Sequence, residues 1–197
     1  MQTIGEYYHI YNRGAHKAPI FCDEFDYQRM LSLLYIKNSI VNIKFSNINS
    51  EKIYSYNRDD TEVDIIAYCL MPNHFHLVLK EITEGGISRF VHKLCTSYSM
   101  YFNNKYDHSG TVFQGQYKYK HVGDEIYLQY LIDYVHLNPF GIEEPDLMKT
   151  AKREHIDEAI EYSKNYEYSS FKDYLGEERM QGVILYQGRP GIRNHPR

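Results

Sequence analysis

The sequence predicts an α+β fold in which a four-stranded antiparallel sheet carries two helices on one face. Segments with the apolar patterns of strands alternate with segments whose apolar residues recur at helical spacing. Their order is β-α-β-β-α-β, followed by further helices, and this order is the ferredoxin-like arrangement. The other face of the sheet then remains open for a ligand or an additional helix.

The first half of the chain supplies three strands and one helix. A short strand is expected to break at Gly14 and Pro19, and a helix with an acidic first turn begins at Asp23 or Asp26. Residues 42–62 are polar and irregular, which predicts a loop or a mobile hairpin. The three strands are predicted over 7–12, 63–71 and 74–80.

The second half supplies the fourth strand and most of the helices. Asp124 is placed to cap a helix that Pro139 and Gly141 help to end. Helices are predicted over 87–103, 124–138 and 148–164, a strand within 111–122, and a packed turn or short helix over 166–176. Residues 1–180 are therefore predicted to form a single domain, and 181–197 a basic, flexible tail.

Composition excludes some functions and leaves others open. No apolar run is long enough for a membrane helix. The three cysteines form no CxxC pair, which favours reduced thiols in a cytoplasmic protein. A net charge of −4 argues mildly against nucleic acid, although a local basic groove can bind DNA on an acidic protein. The 21 tyrosines suit base stacking but also ordinary packing.

His74 and His76 follow the predicted Pro72-Asn73 turn directly. Because a strand alternates its faces, the two imidazoles share one face while Phe75 points to the core. Two imidazoles at this spacing can bind one metal ion. An HxH triplet alone is weak evidence, and two surface or hydrogen-bonded histidines are the alternative.

Tyr134 and Asn138 lie four residues apart and therefore share a helix face. Their face adjoins an apolar stripe that docks the helix on the domain. Half-buried packing explains the tyrosine, and from the residues alone this explanation is favoured. The functional alternative is that Asn138 supplies a third metal ligand and holds Tyr134 beside the ion.

An aromatic and basic stretch over 113–121 is, by composition, equally typical of a nucleic-acid contact and of a solvated strand. Its lysines can pair with phosphates and its tyrosines can stack on bases, although a solvated edge strand looks much the same. His9, in the first strand, either faces the metal side or is an ordinary buried histidine, and the second interpretation is favoured. The candidate DNA-binding residues are Arg13, Lys17, Gln114, Gln116, Tyr117, Lys118 and Lys120.

Five segments together resemble one known family. They are YHIYNRGAHKAPIF, AYCLMPNHFHLVLK, GTVFQGQYKYKHV, YLQYLIDYVHLNPF and YEYSSFKDYLG, in this order. The combination is similar to the REP-associated tyrosine transposases, IS200-like members of the HUH single-tyrosine superfamily. The pair of MPNHFH with a downstream Y-x-x-x-N-P is decisive. Gln116 and Tyr168 depart from the family, which usually has an arginine and a tryptophan there.

The resemblance implies an HUH endonuclease fold with an additional helix that carries the catalytic tyrosine. By position, His74 and His76 are the metal ligands, Asn138 the third ligand and Tyr134 the nucleophile, with Mg²⁺ or Mn²⁺ as the ion. The implied activity is a single-stranded DNA endonuclease and strand transferase that acts at DNA hairpins through a 5′-phosphotyrosine. The partner is hairpin or single-stranded DNA, and a monomer or weak homodimer is expected.

Three other functions remain open from the sequence. The chain can be a domesticated descendant that binds DNA hairpins without cutting them. It can be an unrelated metal hydrolase that uses His74 and His76 on a small phosphoester without a covalent step. It can also be a structural protein that binds neither metal nor DNA.

Overall fold

The computed structural model describes residues 2–142 and 153–190. Within them, four strands form one antiparallel sheet with the spatial order β2-β3-β1-β4. The strands are β1 (Tyr7–Arg13), β2 (Val63–Met71), β3 (His74–Glu81) and β4 (Lys118–Val122). The predicted ferredoxin-like arrangement is therefore confirmed.

The described residues form five α-helices, and aspartate side chains cap the first turn of two of them. They are α1 (Glu24–Ile36), α2 (Gly86–Lys105), α3 (Glu125–Leu137), α4 (Arg153–Lys164) and α5 (Phe171–Tyr174). At α1, the Asp23 side chain accepts from the Asp26 amide and the Asp26 side chain accepts from the Asp23 amide, a capping box. The Asp124 side chain accepts from the Tyr127 amide, 2.7 Å away, as predicted for α3.

Two apolar clusters hold the helices on opposite faces of the sheet. Ile10, Phe75 and Leu77 face α1 and α2 in the larger cluster. Ile66 and Val78 face the other way, in a smaller cluster completed by the α3 residues Leu128, Leu131, Ile132 and Val135. Helix α3 therefore partly covers the face of the sheet that was predicted to be open. Its polar side chains lie over the end of the sheet where β3 begins. None of the described helices is long and apolar enough to cross a membrane.

Two sequence predictions can be compared with the structure here, and two predicted segments fall partly outside the described residues. Residues 42–62 form a loop, the first of the two predicted alternatives, and no hairpin; they contain two 3₁₀ segments, Phe45–Asn47 and Ser50–Ser55, and the second contributes the buried Ile53 to the core. The boundary at residue 180 is wrong. Ile184 and Leu185 are 1% and 2% exposed, and the Tyr186 amide bonds the carbonyl of Ile65 on β2.

The apolar pair Ile184-Leu185 explains why the chain packs beyond residue 180: burying it removes apolar surface from water. The remainder of the predicted tail, 191–197, lies outside the described residues. The same holds for 148–152, the start of the predicted helix that is seen as α4.

Candidate functional site

His74 and His76 share one face of β3, as their spacing predicts. Phe75, Leu77 and Leu79 on the opposite face are fully buried against α1 and α2. The two imidazole centroids lie 4.9 Å apart with their planes nearly perpendicular. This arrangement allows both rings to approach one point in front of the sheet.

Helix α3 brings Tyr134 and Asn138 to the same place. Its buried apolar stripe docks it on the sheet, so the polar stripe next to it turns toward β1 and β3. The Tyr134 ring centroid lies 5.9 Å from that of His76. The Asn138 side chain lies beside the His74 imidazole in the same cavity. Four residues from two distant segments therefore converge.

These four residues line a cavity of about 320 Å³. Among the described residues, its wall carries two cationic side chains, Arg13 and Lys118, and no carboxylate. The described lining residues are Tyr11, Asn12, Arg13, His74, His76, Gln114, Lys118, Tyr134 and Asn138. The cations and amides of this lining suit an anionic ligand such as a phosphodiester.

Both histidines of β3 are held neutral. Burial, with the nearby Arg13 charge, lowers the pKa of His74 to about 4, although the Asn138 side chain, as an acceptor, opposes the shift. Burial, followed by the neighbouring His74, His9 and Arg13, lowers the pKa of His76 well below its usual value. Neutral imidazoles keep a lone pair, which is the form that binds a metal ion.

The donor set fits a divalent ion with few protein ligands. In the described part of the chain, no three His, Cys, Asp or Glu side chains are placed to hold an ion. A site here therefore needs the Asn138 amide oxygen beside the two imidazoles, and it leaves positions for water or phosphate oxygens. The Arg13 charge disfavours a bare cation, so an anionic substrate is expected to strengthen metal binding.

The sequence matches the family described as IS200-like transposase over residues 5–138. The chain belongs to this family. Among solved structures it is similar to a REP-associated tyrosine transposase bound to a REP hairpin. The TM-score is 0.51 and the identity 9%, over 98% of this chain and 96% of the other, so the two share a fold. No curated protein matches the sequence. The family and fold inferred from the five motifs are thus confirmed.

His9 of this IS200-like transposase lies at the site, which is the alternative that the sequence analysis did not favour. It is buried, as predicted, but its Nε2 lies 2.8 Å from Nδ1 of His76 and its ring stacks on that of His76. Burial, with a smaller effect of Lys120, lowers the pKa of His9 to about 4. Strand alternation contained the signal, because positions 9, 11 and 13 must share one face of β1.

Tyr11 is a site residue that sequence reasoning missed. It pairs with His76 across β1 and β3, and its ring centroid lies 6.0 Å from that of His76. Of the 21 tyrosines in the chain, Tyr11 and Tyr134 are the two that line this cavity among the described residues. The transposase therefore has two candidate nucleophiles at the site, one on a strand and one on a helix.

The predicted DNA-binding residues separate onto different surfaces. Arg13, Gln114 and Lys118 line the cavity with the histidines. Gln116 and Tyr117 line a second cavity of about 810 Å³ between α2 and residues 110–119. They separate because the chain bends before β4 begins at Lys118, with Gly115 at a φ of 79°, so that neighbouring side chains reach different surfaces.

Two further lysines of the predicted set line neither cavity. Lys120 pairs with His9 across β1 and β4, and its Nζ lies 4.8 Å from the Tyr127 ring centroid. Lys17 is exposed in the loop between β1 and α1, where its carbonyl accepts a hydrogen bond from Asn73.

Proposed function

We propose that this transposase is a metal-dependent single-stranded DNA endonuclease and strand transferase that acts at DNA hairpins through a 5′-phosphotyrosine on Tyr134. The observation that carries the proposal is the convergence of Tyr134, Asn138, His74 and His76 on one cavity. Membership of the IS200-like family supports a DNA-binding, transposase-like function. The solved transposase of similar fold is bound to a REP hairpin, which supports hairpin DNA as the substrate class.

His74, His76 and Asn138 would hold the ion, for which we propose Mg²⁺ or Mn²⁺. Such an ion, when bound, withdraws negative charge from the scissile phosphate and makes its phosphorus more open to attack. Arg13 and Lys118 flank the same cavity and pair with the phosphate oxygens on either side of the cut. They thereby fix the register of the strand without reading its sequence.

Tyr134 supplies the nucleophilic oxygen. A free tyrosine hydroxyl has a pKa of about 10, so it must lose its proton to a base as it attacks. A bond forms between the phenolic oxygen and phosphorus, the bond between phosphorus and the 3′ oxygen breaks, and the 3′ oxygen takes up a proton. The phosphodiester energy is retained in the tyrosyl ester, so the strand can be rejoined to another 3′ hydroxyl.

One chain contains the complete set of proposed residues. Tyr134 lies beside the histidines of its own chain, with a ring distance of 5.9 Å to His76. This intramolecular arrangement supports action as a monomer or weak homodimer. We therefore expect that diluting the protein does not abolish the first cleavage of the DNA strand.

The test is formation of a covalent protein–DNA adduct. End-labelled single-stranded hairpins from the DNA beside the gene are incubated with the protein and Mn²⁺, and adducts that resist denaturing detergent are counted. We expect an adduct in wild type that disappears with a chelator and in Tyr134→Phe. Tyr11→Phe is the matched control, because Tyr11 lines the same cavity on a different element.

Each other outcome contradicts part of the proposal. An adduct that persists in Tyr134→Phe and disappears in Tyr11→Phe assigns the nucleophile to the strand. Hairpin binding without any adduct in wild type means that the chain is a non-cleaving binder. Cleavage without an adduct, retained in both variants, means a metal hydrolase that attacks with water.

A further inference from the structure

We propose that Asn73 is a positioning residue that fixes the His74 imidazole in the tautomer protonated at Nδ1 and reserves Nε2 for the metal ion. The role of the ion rests on the proposed function. The tautomer itself is a property of the metal-free chain and is testable without metal or DNA.

The Asn73 side chain has two partners that determine its orientation. Its Oδ1 lies 2.7 Å from Nδ1 of His74, and its Nδ2 donates to the carbonyl oxygen of Lys17 over 3.1 Å. Exchanging the two amide atoms would place Oδ1 against the carbonyl oxygen, with no proton between two acceptors. The carbonyl can only accept, so the amide nitrogen must face Lys17 and the amide oxygen must face His74.

The orientation of the amide determines the protonation of the imidazole. An amide oxygen accepts and cannot donate, so a hydrogen bond to it requires a proton on Nδ1 of His74. A neutral imidazole carries one N–H, which leaves the lone pair on Nε2. His74 lines the candidate cavity together with Asn138, the proposed metal ligand that directly follows α3.

The loop between β1 and α1 holds the carbonyl of Lys17 in position. His16 and Lys17 adopt left-handed backbone conformations, with φ of 54° and 63°, which residues other than glycine rarely adopt. The loop is tied to the turn before β3 because the Gly14 amide donates to the carbonyl of Asn73 and the Ile20 amide to that of Pro72. Strained backbone of this kind persists where surrounding contacts enforce it.

His76 shows why Asn73 matters. The partner of its Nδ1 is Nε2 of His9, and either imidazole nitrogen can donate in such a pair. That contact therefore leaves the tautomer of His76 undetermined. At His74 the partner is an amide oxygen, which can only accept, so the tautomer is already fixed in the metal-free protein. Outer partners of this type orient metal-binding histidines in many proteins.

The first experiment reads the tautomer directly. Long-range proton–nitrogen correlation spectra of isotopically labelled, metal-free protein show which nitrogen of each imidazole carries the proton. We expect His74 of wild type to be protonated at Nδ1. Asn73→Leu should lose this preference, whereas Asn73→Asp, which keeps an acceptor, should retain it even if the lost bond to Lys17 lowers stability.

The second experiment measures Mn²⁺ affinity by calorimetry or by the spin resonance of free Mn²⁺. Removing an outer partner of a metal-binding histidine typically weakens binding about 10–100-fold, and we expect a loss in this range for Asn73→Leu. Asn103→Leu is the matched control. The Asn103 side chain bridges Nδ1 of His108 at 2.9 Å and the carbonyl of Gly110 in the same manner, outside the candidate site.

The control should change the tautomer of His108 and leave Mn²⁺ affinity unchanged. A wild-type His74 protonated at Nε2 would overturn the proposal, as would an Asn73→Leu variant that keeps both the tautomer and the affinity. Failure of wild type to bind Mn²⁺, with the His74 tautomer as predicted, would instead contradict the metal part of the proposed function.

Discussion

Nε2 of His9 and Nδ1 of His76 lie 2.8 Å apart, so imidazoles from two neighbouring strands share one hydrogen bond behind the candidate metal site. Both rings are buried and both are held neutral by that burial. For His76 to bind an ion through Nε2, its Nδ1 must donate and His9 must accept. His9 is thus a structural partner of the site that lies outside the HxH motif.

Replacing His9 by leucine should therefore weaken both the fold and metal binding. A buried ring nitrogen of His76 would lose its hydrogen-bond partner, which costs about 1–3 kcal/mol of unfolding free energy. Mn²⁺ affinity should also fall, as for other outer partners. His121→Leu is the control, because that histidine pairs with Glu6 on the exposed side of β4. Urea unfolding and Mn²⁺ titration of both variants make the comparison; equal losses in the two would contradict a special role for His9.

Lys118 and Lys120 should differ in their effect on DNA. Lys118 lines the cavity with the histidines, whereas Lys120 lies against the Tyr127 ring. If Lys118 neutralises one phosphate, Lys118→Gln should reduce the slope of log affinity against log salt by about 0.7 for single-stranded DNA. Lys120→Gln should change the slope less. The measurement is hairpin binding across a salt series. Equal slopes for the two variants would show that the DNA phosphates do not lie in the cavity.

Asp26 should dominate the acid sensitivity of the α1–α2 contact. It is fully buried, and burial alone would raise its pKa, but hydrogen bonds outweigh this effect and lower the pKa. The donors are the Lys105 ammonium, the Cys22 amide and the hydroxyls of Tyr106 and Tyr101. Since the folded pKa is the lower one, this stabilisation is present above the unfolded pKa of about 4 and is lost as pH falls through the folded value.

The corresponding variant is Asp26→Asn. Removing the charge from a buried, paired carboxylate is expected to cost about 3–5 kcal/mol. The loss should be largest near neutral pH and should shrink in acid, where wild type protonates Asp26 as well. Urea unfolding at several pH values measures it, and a loss that does not vary with pH would show that the carboxylate charge contributes nothing.

His136 should make the transposase less stable in mild acid. It is buried on α3, with its Nε2 2.8 Å from the Ser170 hydroxyl, and burial followed by the Arg189 charge lowers its pKa to about 3. As pH falls below the unfolded pKa of about 6.5, the unfolded chain binds a proton that the folded chain cannot. Between about pH 7 and pH 5 this difference removes about 2 kcal/mol of unfolding free energy.

His136→Leu removes that contribution. The variant should be less stable than wild type near neutral pH, yet its unfolding free energy should fall by about 2 kcal/mol less between the same two pH values. Denaturant unfolding of both proteins at each pH gives the comparison. A parallel pH dependence in the two proteins would mean that His136 is protonated in the folded state.

Much of the fold was predictable because local rules dominate it. Strand alternation placed His74 and His76 on one face, and the side chains of Asp23 and Asp124 marked where α1 and α3 begin. These signals depend on residues a few positions apart. The roles of Tyr134 and Asn138 as nucleophile and ligand remain predictions, although α3 does bring both to the cavity.

The sequence by itself determined the order of elements, the faces of β3 and the family. Only the tertiary structure decided which neighbours those faces meet: His9 against His76, Asn73 between His74 and Lys17, and Tyr11 as a second tyrosine in the cavity. It also decided that the lysines and tyrosines near β4 serve different surfaces. The physical reason is register: periodicity assigns a side chain to a face, but only the alignment of distant strands, loops and helices assigns its partner.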